Sequence, residues 1–323
     1  MKDNSKVLLT TFVYGEKYQA YIPLLIYSCK KAYPEYDIML FVYGNLTPNI
    51  KKQVDALQYT NIKIKENCFS DCPKMTPRVS QCLRWVLWDD TFINYDFIYV
   101  VDIDMLYIRE PQSLHIQHEI HMQVYNLMFD NIRREHKRNV TKLTTILQRF
   151  KYAKFRSWLN FFLGNKIEYR ATGLHFIDAK KYYGVLKRNK MEYYKEKIYN
   201  GGWTRWAMYP NDEVLLYAIL EREGLKPEKM AIQTDSMTSL DFNNPQRPEF
   251  RPHHGIHLGI FRKEIELLTE SDKKILDSTT YRYYVNQYIE LYKNDKVFEH
   301  LISVSPSFIK KCFNKMHTYY GIK

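Results

Sequence analysis

Two aspartates directly follow a run of residues that is typical of a buried strand. The apolar residues 97–101 lead into Asp102-Ile103-Asp104, and a second apolar run covers residues 105–108. A continuous apolar run predicts a strand covered on both faces, and carboxylates two positions apart on extended backbone point to the same side. Two unpaired carboxylates would repel each other there, and a divalent cation removes that cost by taking their oxygens as ligands. The alternative is a strand-end turn with two solvated aspartates.

A second group of potential metal ligands lies in a histidine-rich segment later in the chain. His253, His254 and His257 stand beside glycines and are followed by Arg262 and Lys263. Neutral imidazole is an ordinary ligand for Mn²⁺. A lone histidine is usually structural, but three within five residues is not a common core pattern. His254 and His257 are therefore both candidate metal ligands.

Charged residues on two predicted helices complete the candidates. Arg84 lies on the helix that precedes the aspartates, and its planar, permanently charged guanidinium suits phosphates or sugar hydroxyls. The alternative for Arg84 is a surface position on an amphipathic helix. Asp212 and Glu213 begin a later helix, where carboxylates can bind a substrate or act as a base. The helix dipole alone also favours acidic residues in a first turn.

The elements that must position these residues alternate between strands and helices. Such alternation predicts βαβ units, an α/β fold and a mainly parallel central sheet flanked by helices. Ligands of these sheets bind outside the carboxyl ends of the strands. Thr10 and Tyr14, near the end of the first strand, are therefore expected beside the aspartate pair. The predicted strands are 7–13, 37–43, 62–64, 97–101 and 169–178.

Composition limits the class of protein. The 323 residues are 45% hydrophobic and 26% charged, as expected for a globular chain, and 28 tyrosines suit half-wet clefts. A net charge of +12 favours polyanionic partners such as nucleotide phosphates, nucleic acid or an anionic membrane surface. Five cysteines without a framework spacing indicate reduced thiols and a cytoplasmic location. No signal peptide or membrane-spanning segment is recognisable, so any membrane contact is expected to be peripheral.

Two segments are expected to be additions to the main domain, which we place at residues 1–262. Residues 113–165 are interpreted as a helical insertion over the edge of the site, of a kind that would shape a pocket for an acceptor substrate, with helices near 141–150 and 153–162. Residues 263–323 are interpreted as a C-terminal helical extension with a basic, aromatic end. The amphipathic face of that end suits an anionic bilayer surface, and the alternative is an ordinary packed helix.

The motifs together resemble those of a known enzyme class. Residues 100–107, VVDIDMLY, following a helix with Arg84, resemble the D-x-D core of nucleotide-sugar glycosyltransferases with the GT-A fold. The likeness is greatest to family 8 and capsular-polysaccharide transferases, and it covers roughly residues 6–263. Residues 171–174, ATGL, and 211–216, NDEVLL, are similar to two further motifs of that class. Ala171 stands where the class usually has Asn, and Glu213 where it often has Gln.

The resemblance implies roles for the individual residues. Asp104 would bind Mn²⁺ or Mg²⁺, and Asp102 would contact the ribose, the metal or both. His257 would complete the metal shell, with His254 as the alternative. Arg84 would contact the nucleotide or the sugar, and Gly173 would let the backbone approach the sugar.

The remaining roles concern the diphosphate and the sugar of the nucleotide-sugar donor. Arg262 and Lys263 would reach the diphosphate, although they stand one residue out of the usual register. Asp212 would bind hydroxyls of the donor sugar, and Glu213 could act as base or nucleophile.

The expected function is a metal-dependent, family 8-like and retaining transfer of a sugar from a UDP-sugar. The expected acceptor is a polysaccharide or a lipid-linked oligosaccharide at the cytoplasmic membrane face, without nucleic acid. One alternative is a non-catalytic basic protein that binds RNA or a membrane. A less favoured one is a sugar nucleotidylyltransferase, whose Gly-rich, Arg-containing loop after the first strand has no counterpart here.

Overall fold

The computed structural model describes residues 5–124, 126–140, 166–201, 212–225, 238–240, 248–250 and 254–322. The strands in these residues are β1 Val7–Val13, β2 Asp37–Val42, β3 Ile62–Lys65, β4 Phe97–Val100, β5 Met105–Tyr107, β6 Phe129–Val140, β7 Lys166–Asp178, β8 Thr238–Leu240, β9 Pro248–Phe250 and β10 Gly255–His257.

The α-helices of the described part lie between the strands and at the end of the chain. They are α1 Glu16–Gln19, α2 Ile22–Ala32, α3 Pro48–Leu57, α4 Pro77–Leu83, α5 Leu114–Val124, α6 Ala179–Val185, α7 Arg188–Tyr199, α8 Asp212–Arg222, α9 Glu270–Leu276, α10 Thr279–Tyr292, α11 Lys296–Val304 and α12 Ser307–Tyr320. Short 3₁₀ helices cover Arg84–Val86, Phe92–Asn94, Leu258–Arg262 and Ile265–Leu267.

Within the described residues, six strands form a central sheet in the order β3-β2-β1-β4-β7-β6. The pairs β1–β2, β1–β4 and β2–β3 are parallel. Strand β7 runs antiparallel to both of its neighbours, β4 and β6. The predicted α/β class, with a mainly parallel sheet flanked by helices, is confirmed.

The sheet separates two hydrophobic cores, and β1 contributes to both. Val7, Leu9 and Val13 pack into the core that contains α2 and the C-terminal helices. Leu8 and Phe12 pack into the core on the other face, with α4, α6, α7 and α8. Strand side chains alternate between faces, so a strand buried on both sides needs the continuous apolar sequence found here.

Residues 113–165 differ from the predicted helical insertion. Helix α5 occupies the first part, but residues 129–140 form β6, which extends the central sheet beside β7. The apolar and basic residues of β6 follow no clear period, so the local sequence did not indicate a strand. Its pairing with β7, which lies further along the chain, cannot be read from that local sequence. The two helices expected near 141–150 and 153–162 lie outside the described residues.

The C-terminal helices are part of the main core. In α12, the side chains of Ile309, Phe313 and Met316 are at most 2% exposed, and the helix packs on the 3₁₀ helix Leu258–Arg262. Burial of each such side chain stabilises the fold by about 1.5–3 kcal/mol. The apolar face that suited a bilayer therefore faces the protein. No helix among the described residues is long and apolar enough to cross a membrane.

A two-stranded ribbon joins the end of β4 to the late histidine segment. Strand β5 pairs antiparallel with β10, and His257 lies opposite Met105. The ribbon requires a glycine at position 255, whose φ is +148°. A Cβ there would lie 2.2 Å from the carbonyl oxygen of Leu106. Only a residue without a side chain lets the two backbones approach this closely.

Replacing Gly255 by alanine should therefore disrupt the ribbon. We expect Gly255→Ala to lower the free energy of unfolding by about 2–4 kcal/mol, from the clash and the strained backbone together. Urea unfolding followed by circular dichroism measures this. The control is Gly184→Ala on the exposed side of α6, where an added Cβ meets no atom within 4 Å. It should be neutral or stabilise by up to about 1 kcal/mol, and equal effects of the two changes would contradict the argument.

Candidate active site

A cleft of about 290 Å³ lies at the carboxyl ends of β1 and β4. Its position agrees with the rule that ligands of open α/β sheets bind at this edge. Half of the predicted site residues line it: Tyr14, Arg84, Asp102, Asp104, His257 and Arg262. The lining residues are Thr11, Phe12, Tyr14, Tyr18, Pro77, Ser80, Gln81, Arg84, Asp102, Ile103, Asp104, His257 and Arg262.

Both aspartates of the D-x-D segment line this cleft, but they bind different partners. The sequence predicted extended backbone with both carboxylates on one side. Instead, Ile103 and Asp104 form a turn between β4 and β5, so strand alternation does not apply. Asp102 pairs with Arg84, whereas Asp104 pairs with His257 and Arg262.

Arg84 bridges two acids that are distant in sequence. Its Nη1 donates to Asp102 Oδ1, and its Nη2 donates to Asp212 Oδ2 at 2.6 Å. All three side chains are mostly buried, and the guanidinium also lies over the Trp85 ring. One planar fork thereby holds the strand end and the start of α8 together.

Asp104 is the more deeply buried of the two aspartates. Its Oδ1 lies 3.3 Å from His257 Nε2, and its Oδ2 accepts from Arg262 Nη2 at 2.5 Å. Burial alone would raise the pKa of Asp104, but the neighbouring His257 and Arg262 outweigh it and hold the pKa at about 2. The carboxylate is therefore ionised at neutral pH.

Two tyrosines that the sequence analysis did not single out hold Arg262. The hydroxyl oxygens of Tyr18 and Tyr21 lie 3.3 and 3.4 Å from its Nη1 and Nε. Both rings also face the guanidinium, with centroids 5.1 and 5.4 Å from its central carbon. Aromatic faces stabilise a cation in this geometry. Their position in the sequence could have indicated this role, because both tyrosines closely follow the carboxyl end of β1, where ligands of such sheets bind.

The structure places the three other residues that we expected to contact the nucleotide sugar in different environments. Tyr14 lines the cleft and packs edge-on against Tyr43. Thr10 is fully buried, so the neighbouring Thr11 reaches the cleft in its place. Gly173 lies in β7, beyond the residue that pairs with Val100, and so near the carboxyl end of β4.

Six predicted site residues are not among those that line the described part of the cleft: Thr10, Gly173, Asp212, Glu213, Lys263 and His254. Asp212 is joined to the cleft through its ion pair with Arg84. Lys263 is exposed and donates to Asp272 at 2.6 Å. Glu213 follows Asp212 in the first turn of α8 and is half-buried. His254 lies in the core, where its Nδ1 contacts Glu110 at 2.7 Å. Its Nε2 lies 2.9 Å from His118 Nε2, so both ring nitrogens have partners in the core and His254 is not placed as the alternative metal ligand at this cleft. His253 lies outside the described residues.

The donor atoms decide whether a divalent cation fits. No group of three or more His, Cys, Asp or Glu side chains suited to a metal occurs in the described residues. Asp104 and His257 nevertheless present an oxygen and a nitrogen 3.3 Å apart. Two ligands of one octahedral ion, each about 2.1 Å from it, lie about 3 Å apart. Magnesium-type sites often use one or two protein ligands plus substrate phosphates, so this pair fits a cation that a ligand helps to hold.

Comparison with known proteins gives general likeness only. No protein-family model matches the sequence, and no curated protein does. The galactosyltransferase LgtC, in complex with donor and acceptor sugar analogues, matches at a TM-score of 0.36 and 15% identity, over 70% of this chain and 72% of that chain. The mannosyltransferase Ktr4p from S. cerevisiae, in complex with GDP, matches at a TM-score of 0.43 and 9% identity, over 71% and 69%. These values are too low to establish a shared family or function.

Protonation of Asp104 should weaken the folded protein. Its folded pKa of about 2 lies below the ordinary 3.8, so its contribution is complete above about pH 4 and is lost as the pH falls toward 2. The shift corresponds to about 2 kcal/mol. Asp104→Asn should therefore lose less unfolding free energy than the wild type over this range, as measured by urea titration at several pH values. Asp55→Asn, at an exposed position of α3, should keep the wild-type slope, and a wild-type slope in Asp104→Asn would contradict the assignment.

Removing the Arg84 bridge should leave two mostly buried acids unpaired. We expect Arg84→Ala to lower the free energy of unfolding by about 1–3 kcal/mol. Arg84→Lys should restore only part of it, because an ammonium cannot span both carboxylates as the fork does. Arg188→Ala removes an exposed arginine 3.7 Å from Asp90 and should change stability by less than about 0.5 kcal/mol. If Arg84→Ala behaved like this control in urea unfolding, the bridge would have no structural importance.

Proposed function

We propose that this chain is a glycosyltransferase of the GT-A type that uses a nucleotide-diphosphate sugar, most simply a UDP-sugar. The observation that carries the proposal is the convergence of Asp102, Asp104 and His257 with Arg84 and Arg262 on one cleft. The cleft lies at the edge of the sheet where α/β proteins bind nucleotides. The D-x-D resemblance supplies the reaction class, and the geometry supports it independently.

The donor diphosphate would lie near Arg262, Asp104 and His257. Arg262 is a permanently charged fork that matches phosphate oxygens, and its tyrosine contacts keep it at the cleft. Asp104 and His257 would hold a Mn²⁺ or Mg²⁺ ion together with the phosphates. When bound, such an ion neutralises charge on a leaving diphosphate.

The nucleoside and the sugar would extend in different directions from the diphosphate. Tyr14 offers an aromatic ring beside Thr11 and Phe12 at the end of β1 for the base. The sugar would lie toward Asp212, whose carboxylate Arg84 orients. Glu213 remains our candidate for a base or nucleophile in a retaining reaction. We propose a hydroxyl of a polysaccharide or lipid-linked oligosaccharide as the acceptor.

Calorimetry with UDP tests the proposal directly. The wild type should bind UDP in the presence of Mn²⁺ and much more weakly in EDTA. Since changes to groups behind a metal ligand already cost about 10–100-fold, Asp104→Ala, which removes a ligand itself, should cost at least about 100-fold. Asp90→Ala removes an exposed carboxylate and should bind like the wild type.

Absence of Mn²⁺-dependent UDP binding by the wild type would overturn the proposed function. Tight RNA binding with a steep salt dependence would instead indicate the nucleic-acid alternative. Retained UDP binding by Asp104→Ala would leave the nucleotide site but remove its metal assignment.

A further inference from the structure

In this structure the Asp104 carboxylate already has a cationic partner. Arg262 Nη2 donates to Oδ2 at 2.5 Å, and the other oxygen faces His257 Nε2 at 3.3 Å. Space behind the carboxylate is closed, because a Cβ at Gly259 would lie 2.5 Å from Oδ2 and 2.6 Å from His257 Nε2. The Asp104 side chain is only 8% exposed. Any cation that binds Asp104 must therefore approach from the cleft, beside the guanidinium.

A divalent cation and the Arg262 guanidinium cannot both bind Asp104 without strong repulsion. Coulomb repulsion between charges a few ångströms apart is large in a mostly buried site. One carboxylate offers a single negative charge to balance both of them. In the protein without nucleotide, Arg262 should therefore lower the affinity of Asp104 and His257 for a free metal ion.

A diphosphate changes this balance. It carries more negative charge than one carboxylate, and its oxygens suit the planar fork of an arginine. The hydroxyls and rings of Tyr18 and Tyr21 hold the other side of Arg262. These contacts keep the guanidinium at the cleft when its Nη2 leaves Asp104. Arg262 can thus exchange one anion for another with a small displacement.

From this geometry we propose that Arg262 acts as an internal cation. It pairs with Asp104 and opposes metal binding there until a nucleotide diphosphate binds. The diphosphate draws the guanidinium away from Asp104, and with this charge removed a divalent cation can bind between Asp104 and His257. Metal and nucleotide binding are thereby coupled, each raising the affinity for the other by the same factor. This inference rests on the proposed nucleotide-sugar site and adds the order in which that site is filled.

The effect of removing Arg262 distinguishes this exchange from simple support of the site. In Arg262→Ala, Mn²⁺ without nucleotide should bind more tightly than in the wild type, by at least about fivefold, the lower end of typical coupling factors. The factor by which UDP raises Mn²⁺ affinity should fall but stay above one, because the phosphates still bind the ion directly. Arg262→Gln, which keeps most of the side-chain stem, should shift both quantities in the same directions. The spectroscopic signal of free Mn²⁺ in electron paramagnetic resonance titrations, with and without UDP, measures both quantities.

Lys311→Ala is the matched control. It removes the same net charge as Arg262→Ala, but from an exposed position of α12. Because salt screens exposed charges, we expect it to change Mn²⁺ affinity by less than about twofold. Circular dichroism melting of each variant establishes that it is folded.

The possible outcomes separate the two proposals. Unchanged or weaker binding of Mn²⁺ alone by both Arg262 variants, with normal Mn²⁺–UDP binding by the wild type, overturns the exchange and leaves the proposed function intact. A wild type that binds Mn²⁺ equally well with and without UDP also overturns the exchange. A wild type that binds no Mn²⁺–UDP overturns both.

Discussion

The candidate site depends on the antiparallel pairing of β10 with β5. The turn at Ile103 and Asp104 directs the chain out of β4 into a strand that is not part of the central sheet. That strand binds the late histidine segment, and the amide of Leu258 donates to the carbonyl oxygen of Asp104 at 2.9 Å. The backbone pairing itself therefore brings the segment with His257 and Arg262 next to Asp104.

A buried polar network anchors the other end of this ribbon. His254, just before β10, contacts Glu110 at 2.7 Å and His118 at 2.9 Å, and His118 contacts Asp130 at 2.8 Å. One of the two facing imidazole nitrogens must donate to the other. Because each ring has a partner at both nitrogens, the cost of burying these groups is offset. Tyr284 donates to the same Glu110 at 2.6 Å and adds the C-terminal helices to the network.

The sequence predicts the parts of this fold that depend on local patterns. Continuous apolar runs identified β1, β2 and β4. The start of α4 also depends on local sequence, because the Thr76 hydroxyl accepts from the Val79 amide and Pro77 occupies the first turn. The aspartate pair at the end of β4 followed from the same argument. Contacts between residues that are distant in the sequence produce no local pattern. The sequence therefore did not predict the partner of β5, the strand β6 or the contacts of Tyr18 and Tyr21 with Arg262.

The C-terminal helix shows a second limit of local patterns. An apolar stripe flanked by lysines is equally consistent with a bilayer and with a protein core, since both remove the stripe from water. Only the position of α12 against residues 258–262 distinguishes them. There, Lys315 donates to the carbonyl oxygen of Lys263 at 3.0 Å, so a lysine that suited a lipid headgroup supports the backbone next to Arg262.

The charges around the cleft give a reason for a cation to accompany an anionic donor. The carboxylates of Asp102, Asp104 and Asp212 face the guanidinium groups of Arg84 and Arg262. Among these described side chains, three negative charges against two positive ones leave one negative charge in excess before His257 is counted. A diphosphate alone would meet that excess in a mostly buried site, where repulsion is poorly screened. A divalent cation reverses the sign of the site, so the diphosphate and the ion each make binding of the other favourable.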